Sequence, residues 1–258
     1  MKNILITGAG TGFGKFYSIE LAKRGHNVYA AVELPSQLYP LREEAAKHNV
    51  SINVIKVDIT DPIDVNYASK LDIDILVNNA GIGEGGSIVD MPDSVFRKQF
   101  DINVFGTLSF TKAFLRKFTE RKSGRIVFVS SVAGFLSTNF TGAYTASKHA
   151  LESIAETLQL ELKPFGISVS TINPAPYKTG FNDVQLEAFY NWYDKSTAII
   201  DHDGVTFTMP QYDQYQDIKE MVDVILDDRA YVRNVFPKEF EDTIKTIQKD
   251  AWVAKNNS

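Results

Sequence analysis

Tyr144 and Lys148 are two residues whose types and spacing suit proton transfer. They are four positions apart, so on a helix their side chains share one face. A free tyrosine has a pKa of about 10, and a nearby lysine ammonium would lower that pKa by favouring the phenolate. Such a tyrosine could donate a proton to a carbonyl oxygen or remove one from an alcohol. Ser131, 13 residues earlier, could hydrogen-bond the same oxygen as its charge changes.

Four glycines lie together near the start of the chain, in the sequence TGAGTGFG of residues 7–14. Glycines between a strand and a helix let the backbone approach a pyrophosphate and present N–H groups to it. The P-loop pattern would need different residues at two positions, and GxGxxG would have phenylalanine at its last glycine. The spacing that fits is TGxxxGxG, which predicts a dinucleotide cradle built on Gly8, Gly12 and Gly14.

Short apolar segments alternate with longer amphipathic ones along most of the chain. Several of the short segments are apolar on consecutive residues, which is typical of strands buried on both faces. This alternation predicts an α/β fold with a doubly wound, Rossmann-type parallel sheet and helices on both faces. The predicted strands are residues 4–7, 28–32, 52–57, 73–77, 126–130, 167–172 and 232–236.

Amphipathic periodicity predicts the helices that would position the chemistry. One helix is expected over about residues 94–121, and another carries the stripe Leu151, Ile154, Ala155, Leu158 and Leu162. Two more are expected near residues 217–226 and 239–249. Between them, about residues 176–215 lack a clear strand and are rich in aromatics. We expect a single domain over residues 1–258, with 176–215 as its substrate-loop region.

The composition excludes several classes of protein. The chain has 258 residues, of which 44% are hydrophobic and 23% are charged, and this is ordinary globular usage. It contains no cysteine, so disulfide scaffolds and thiolate sites are excluded. The net charge of −5 gives no electrostatic footprint for nucleic acid or an anionic membrane. No histidine spacing suggests a metal site. We expect a cytoplasmic protein, because no targeting or membrane-spanning segment is apparent.

Several motifs in the expected order resemble the short-chain dehydrogenase/reductase family over nearly the whole length. They are the glycine loop, Asp58 after the third strand, NNAG at residues 78–81, Asn103, Ser131, and YTASK at residues 144–148. Residues 124–148 and 162–166 also resemble the branch with 17β-hydroxysteroid and retinol dehydrogenases. The resemblance implies an oxidoreductase in which a nicotinamide dinucleotide carries the hydride.

The resemblance also implies a role for each site residue. Asn103 would hold a water that connects Lys148 to solvent, and Lys148 would hydrogen-bond the nicotinamide ribose. The implied catalytic residues are Asn103, Ser131, Tyr144 and Lys148. The implied cofactor-binding residues are Gly8, Thr11, Gly12, Phe13, Gly14, Glu33, Asp58, Ile59, Asn79, Ala80, Gly81, Tyr144, Lys148, Pro174 and Thr179. Ala175 stands where the family usually has glycine, which leaves the geometry of that loop open.

The end of the second predicted strand indicates which cofactor is preferred. Glu33 follows this strand, and an acid there accepts hydrogen bonds from the ribose hydroxyls of NAD. Between Arg24 and Arg42 there is no basic residue for the 2′-phosphate of NADP, and Thr11 is not basic. The family's usual aspartate would align with Val32, and Glu33 alone could be a solvated loop acid. We therefore expect NAD, with an NADP(H)-dependent carbonyl reductase as the alternative.

The aromatic residues point to the substrate. Residues 83–87, 134–142 and 176–215 follow strand ends and would form the pocket. They suggest a hydrophobic or ring-containing alcohol or ketone, although the same rings could instead pack the loops or a subunit interface. The ten aromatics are Phe135, Phe140, Phe181, Phe189, Tyr190, Trp192, Tyr193, Phe207, Tyr212 and Tyr215.

Binding of a dinucleotide without catalysis is an alternative function for this fold. A non-catalytic module that senses a dinucleotide would use the same fold, but such modules usually lose the catalytic tyrosine or lysine. Both Tyr144 and Lys148 are present here.

By resemblance, we expect a homodimer or homotetramer that associates through the long helices near residues 103–121 and 144–163.

Overall fold

A seven-stranded parallel sheet forms the centre of the computed structural model, which describes residues 1–207 and 209–254. The strand order is β3-β2-β1-β4-β5-β6-β7. Strands β2 and β3 are added on one side of β1, and β4 to β7 are added on the other. The sheet is therefore doubly wound, as the sequence predicted. The strands are β1 Asn3–Ile6, β2 Asn27–Val32, β3 Asn53–Lys56, β4 Ile75–Asn78, β5 Gly124–Val129, β6 Ile167–Pro174 and β7 Arg233–Phe236.

Helices cover both faces of this sheet. On one face, α1, α2 and α8 pack their apolar side chains against the strands. On the other, α3, α5 and α6 do the same. The α-helices are α1 Gly12–Lys23, α2 Leu38–Lys47, α3 Pro62–Ala68, α4 Asp93–Phe100, α5 Thr107–Glu120, α6 Gly142–Leu162, α7 Phe181–Glu187, α8 Ile218–Leu226 and α9 Phe240–Ala251.

Burial on both faces explains the continuous apolar runs in the sequence. Successive side chains of a strand point to opposite faces. In β1, Ile4 and Ile6 belong to the core beneath α1 and α8, whereas Leu5 belongs to the core beneath α5 and α6. All three are fully buried. The same alternation in the other central strands fixes their register. Because every pairing in the sheet is parallel, the carboxyl ends of the strands meet along one edge.

The prediction of one continuous helix over residues 94–121 is wrong in one respect. Two α-helices, α4 and α5, are joined there by a π-helical segment, Asp101–Gly106. A π turn inserts an extra residue into a helix and is frequent at functional sites. Apolar periodicity does not reveal it, because the residues on both sides keep helical spacing. The segment contains Asn103, whose contacts are described below.

The irregular region between β6 and α8 is built from short elements. It contains α7, a 3₁₀ turn at Ala188–Asn191 and an isolated parallel bridge between Tyr177 and Tyr212. The rest of its described residues are turns and loops. Among the helices of the described ranges, none is both long enough and apolar enough to span a bilayer.

Candidate active site

One large cavity opens at the carboxyl ends of the strands and has a volume of about 1000 Å³. Its walls come from the turns after β1, β2, β3, β4, β5 and β6, and from α7. It brings together most of the residues implied by the sequence. Those that line it are Gly8, Thr11, Gly12, Phe13, Glu33, Asp58, Ile59, Asn79, Ala80, Gly81, Ser131, Tyr144, Lys148, Pro174 and Thr179.

The glycine loop after β1 is shaped by close backbone contacts. Gly8 has a φ of +64° and Gly12 a φ of +50°, a left-handed conformation that favours glycine. A Cβ atom on Gly8 would lie 2.7 Å from the Cα of Ala80. Gly14 is not among the residues that line the cavity, and its contact with the cofactor stays a prediction. A Cβ there would lie 2.6 Å from the carbonyl oxygen of Gly8, so this glycine lets α1 pack beneath the loop.

The loop is fastened to the neighbouring strand end by Thr7 and Asn79. The Thr7 hydroxyl accepts hydrogen bonds from the backbone N–H groups of Asn79 and Ala80, both at 3.0 Å. The Asn79 amide donates to the carbonyls of Thr7 and Gly8 at 2.9 and 3.1 Å. These bonds join the ends of β1 and β4, so Ala80 and Gly81 line the cavity beside the glycine loop.

Acidic and amide groups line the end of the cavity near β2 and β3. Glu33 is exposed there, with Gln37 and Asp58 beside it. The Asp58 carboxylate accepts hydrogen bonds from the N–H and hydroxyl of Thr60 at 2.8 and 2.7 Å. Among the described lining residues, the cationic side chains are Lys98 and Lys148. Neither belongs to this end, so no lysine or arginine lines the wall that Glu33 forms.

Asn103 lies behind the cavity wall rather than on it. Its side chain is buried, accepts a hydrogen bond from the Ile82 N–H and donates to the Ile82 carbonyl, both at 2.9 Å. It also donates to the Ser147 hydroxyl at 3.2 Å. A Cβ on Gly81 would lie 3.1 Å from its Oδ1. Asn103 therefore ties the π-helical segment to the loop after β4 and to α6.

Ser131, Tyr144 and Lys148 converge at the opposite end of the cavity from Glu33. Ser131 begins a short 3₁₀ turn after β5, where its hydroxyl accepts a hydrogen bond from the Ala133 N–H at 3.1 Å. The same hydroxyl donates to the Pro174 carbonyl at 3.3 Å. The Lys148 ammonium donates to the Val129 carbonyl at 2.9 Å and lies 5.6 Å from the centre of the Tyr144 ring.

Burial decides the protonation of both α6 residues. It raises the pKa of Tyr144 to about 12, although the neighbouring Ser131 hydroxyl acts in the opposite direction. Burial also lowers the pKa of Lys148 to about 8, opposed by the carboxylate of Glu152. The expected lowering of the tyrosine pKa by lysine is therefore wrong for this structure. The ammonium is directed at a carbonyl, so desolvation outweighs it and the phenol keeps its proton at neutral pH.

Ala175 does not distort the loop after β6. Its backbone is outside the left-handed region, so the position does not require glycine. Its N–H donates to the Phe236 carbonyl at 2.7 Å, which extends the pairing of β6 with β7. Pro174, Ala175 and Thr179 all line the cavity. The alanine is therefore accommodated without a left-handed backbone at this position.

Most of the aromatic residues that were predicted to form the substrate pocket do not line the cavity. Of the ten aromatics, Phe181, Tyr190 and Phe207 line the cavity, and Phe181 lies 5.6 Å from Tyr144, ring centre to ring centre. The other seven pack elsewhere, as the alternative interpretation held. Four of them surround the buried His202 ring, two lie against rings of the core beneath α1 and α8, and one faces Arg233. These are Phe140, Phe189, Trp192, Tyr193, Tyr212, Tyr215 and Phe135.

His202 explains why those rings gather there. Its Nε2 accepts a hydrogen bond from the Ser87 N–H at 2.9 Å, and its Nδ1 is 2.8 Å from the Ile200 carbonyl. The neutral tautomer with a proton on Nδ1 satisfies both bonds. The histidine therefore pins the loop of residues 194–207 to the loop after β4. Four of the aromatic rings that were predicted to contact a substrate therefore pack around His202 instead.

Comparison with known proteins places these features in a family. A model of the short chain dehydrogenase family matches residues 2–188. The chain belongs to this family. YusZ, an uncharacterized oxidoreductase of Bacillus subtilis, is 37% identical over 227 residues, which is 81% of each chain. A 3-ketodihydrosphingosine reductase of Bacteroides thetaiotaomicron is 36% identical over 186 residues, covering 70% of this chain and 65% of its own.

Solved structures of short-chain dehydrogenases share the fold. A short-chain dehydrogenase from Sphingobium yanoikuyae in complex with NADPH superposes with a TM-score of 0.75 at 24% identity, covering 100% of this chain and 98% of its own. The bulky-bulky ketone specific alcohol dehydrogenase from Comamonas testosteroni has a TM-score of 0.72 at 25% identity, covering 100% and 96%. These structures show the shared fold, whereas the family match and the relatives show that the chain is an oxidoreductase of the short-chain dehydrogenase type.

The cavity of this short-chain dehydrogenase fits the nicotinamide dinucleotide that the family binds. Left-handed glycines at positions 8 and 12 keep the turn after β1 free of side chains. The N-terminus of α1 lies in the wall beside them, and its N-cap residue Thr11 makes no side-chain capping bond. N–H groups at such a terminus suit a pyrophosphate. An acidic wall suited to ribose hydroxyls lies at one end, and the Tyr144 phenol lies at the other.

Several lining residues were missed by the sequence reasoning. Three of them are Glu84, Lys98 and Gln185. Glu84 is almost buried, and its carboxylate pairs with the Lys98 ammonium at 2.8 Å. A signal for Gln185 was present, because it follows Phe181 by one helical turn on α7. The signal depends on recognising α7 within a segment that lacks clear periodicity.

Proposed function

We propose that this dehydrogenase is NAD(H)-dependent and interconverts an alcohol with a ketone or aldehyde on a hydrophobic or ring-containing substrate. The observation that carries the proposal is the cavity that Tyr144 and Ser131 line together with the glycine loop after β1. A proton donor and a dinucleotide cradle in one space suit the reduction of a carbonyl.

Each residue has a definite task in this proposal. The bound cofactor supplies or accepts the hydride. The phenol of Tyr144 donates its proton to the carbonyl oxygen during reduction and takes a proton from the hydroxyl during oxidation. The Ser131 hydroxyl donates a hydrogen bond to the same oxygen as negative charge develops. Lys148 places a positive charge beneath the ring of Tyr144. Asn103 positions the wall at Gly81 through its bonds to Ile82.

The preference for NAD rests on Glu33. An NADP phosphate requires a lysine or arginine close by, and the described wall at this end offers carboxylates and an amide instead. A carboxylate would repel the phosphate but accept hydrogen bonds from ribose hydroxyls. The Sphingobium structure contains NADPH, and an NADP(H)-dependent carbonyl reductase is therefore the second candidate.

Cofactor preference is tested by measuring kcat/KM for NADH and NADPH with one ketone. The wild type should prefer NADH, and Glu33→Arg should move the ratio towards NADPH by at least about tenfold. Glu43→Arg makes the same charge change at an exposed position of α2 outside the cavity wall and should leave the ratio unchanged. A wild-type preference for NADPH would overturn the NAD proposal.

The substrate class is supported by apolar groups around Tyr144. Leu136, Phe181, Ala188, Phe207 and Met209 line the cavity, and the ring of Phe181 lies 5.6 Å from that of Tyr144. Their burial by a ligand would favour large apolar substrates. The names of the Bacteroides reductase and the Comamonas dehydrogenase also refer to ketones. A panel of ketones graded by size should show kcat/KM rising with apolar bulk; a preference for the smallest member would contradict this part of the proposal.

We also propose that two or four copies associate through the long helices, as the family resemblance implies. Exposed apolar side chains on and before these helices support this, with Phe105 and Leu160 exposed by 60% and 71%. Such side chains favour burial against a partner. The molar mass measured by light scattering should be twice or four times that of the chain, and a monomer would contradict it.

A further inference from the structure

Gly10 is a glycine of the loop after β1 that its own backbone does not require. Gly8 and Gly12 have left-handed backbones, whereas Gly10 lies outside that region. A Cβ on Gly10 would, however, lie 2.5 Å from Nε2 and 2.6 Å from Cδ of Gln37, well inside van der Waals contact. The amide of Gln37 therefore occupies the space that a side chain at position 10 would take.

A hydrogen bond to the turn after β2 fixes the orientation of this amide. Gln37 ends the 3₁₀ turn Pro35–Gln37, and its Oε1 accepts a hydrogen bond from the Leu34 N–H at 3.1 Å. Since a backbone N–H can bond only to the oxygen of a side-chain amide, the opposite end of the amide is the nitrogen Nε2. The hydrogen bonds among the described residues include none that Nε2 donates, so its N–H groups are available to a ligand.

Nε2 is accessible rather than enclosed. Gln37 is half-buried and lines the cavity together with Gly10. Over residues 1–207 and 209–254, the side-chain atoms that are both buried and unpaired do not include Nε2. This donor therefore keeps accessible surface. Because it lies against Gly10 in the cavity wall, a ligand held by the glycine loop can reach it.

The neighbouring groups indicate which part of the dinucleotide this donor would contact. Glu33 lines the same end of the cavity, and a carboxylate accepts hydrogen bonds but donates none. A hydroxyl group both donates and accepts, so adjacent hydroxyls can donate to a carboxylate and accept from an amide. The adenosine ribose of NAD carries such a pair of hydroxyls. It therefore suits a wall formed by a carboxylate and an amide.

From these observations we infer that Gln37 is a cofactor-binding residue whose Nε2 donates a hydrogen bond to a hydroxyl of the adenosine ribose of NAD(H). Gly10 makes this contact possible because it leaves room for the amide. The inference rests on the proposed function and adds a hydrogen-bond donor to the acceptor that Glu33 provides. Since Tyr144 is at the opposite end of the cavity, loss of the contact should weaken cofactor binding and leave the proton transfer intact.

The test is a fluorescence titration that gives the Kd of NADH and of its analogues without the 2′- or the 3′-hydroxyl of the adenosine ribose. Gln37→Met keeps an unbranched side chain but removes the N–H donors, so it should bind NADH about three- to tenfold more weakly than the wild type. For an analogue without the contacted hydroxyl, wild type and variant should agree within about twofold. An unchanged affinity for NADH, or an equal loss with all three ligands, would overturn the inference.

Alanine substitutions test the role of Gly10. Gly10→Ala places a Cβ where the amide lies and should push it aside, with a loss of NADH affinity similar to that of Gln37→Met. In a Gln37→Ala background that space is empty, so Gly10→Ala should cause no further loss. A Gly10→Ala variant that binds NADH as tightly as the wild type, or losses that add in the double variant, would contradict the inference.

A matched control is Gln248→Met, which makes the same change at an exposed position of α9 outside the cavity wall. Its affinity for NADH should equal that of the wild type, and a loss like that of Gln37→Met would contradict the assignment. The two proposals fail differently. If the wild type neither binds NADH nor reduces a ketone with it, the proposed function fails. If the wild type does both and Gln37→Met binds NADH equally well, only the role of Gln37 fails.

Discussion

Burial of the Lys148 ammonium group should make the free energy of unfolding depend on pH. Its pKa is lowered from 10.5 to about 8 in the folded chain, because burial disfavours the charged form. Between these two pKa values the unfolded chain holds a proton that the folded chain has released. The free energy of unfolding therefore rises as the pH rises through this window. Lys148→Met removes the titrating group but keeps an unbranched side chain.

The size of the effect follows from the two pKa values. For one group with these pKa values, the destabilising contribution is about 3.4 kcal/mol at pH 7 and about 1.4 kcal/mol at pH 9.5. The wild type should therefore gain about 2 kcal/mol relative to Lys148→Met between these two pH values. At pH 7 the methionine variant also avoids burial of a charge but loses the hydrogen bond to the Val129 carbonyl, worth about 1.5–3 kcal/mol. Because the variant lacks this hydrogen bond at both pH values, the loss cancels when the stability differences at pH 7 and pH 9.5 are compared.

The assay is urea unfolding at pH 7 and pH 9.5, with the free energy extrapolated to zero denaturant. The control is Lys112→Met, which removes an exposed lysine on α5. The difference between wild type and Lys148→Met should move by about 2 kcal/mol in favour of the wild type, whereas the Lys112 difference should stay constant. A constant Lys148 difference, or a change of opposite sign, would refute the burial argument.

Three further predictions follow from packing. Gly8→Ala adds a Cβ 2.7 Å from backbone and should destabilise the fold by about 2 kcal/mol more than Gly25→Ala, whose φ is also positive but whose Cβ has open space; urea unfolding measures both. Arg125→Met removes four bonds to serine hydroxyls of β6 and carbonyls ending α8, and should cost about 3 kcal/mol or more. Phe181→Ala should change the preference for ketone size, whereas Trp192→Ala, outside the cavity, should lower the Tm instead; equal effects on preference would contradict the assignment.

The parallel sheet and the positions of its strands were within reach of the sequence because burial on both faces leaves a strong pattern. Each predicted strand overlaps an observed one to within two residues at either end. Residues placed at strand ends, such as Asp58, Asn79 and Ser131, were brought to the cavity because parallel strands end at a common edge. Local sequence therefore specified most of the wall where the family motifs lie.

Features that depend on packing between distant segments were beyond this reasoning. Asn103 was expected within a regular helix, but its helix contains a π segment that apolar spacing does not reveal. Trp192 and Tyr193 were expected in the pocket, yet they pack around His202, which bonds to Ser87 more than 100 residues away. Aromatic composition indicates burial but not the partner. Tyr144 likewise has a raised pKa, because its burial is set by the whole fold.

The Tyr144 hydroxyl should transfer the proton in a reaction driven by NADH. It is tested most directly by comparing ketone-dependent NADH oxidation and NADH binding in the wild type and Tyr144→Phe, which differ by one hydroxyl. We predict turnover by the wild type, a loss of at least about 100-fold in kcat for the variant, and NADH affinities that agree within about threefold. Turnover retained by the variant would contradict the claim, as would a wild type that binds NADH but reduces no ketone.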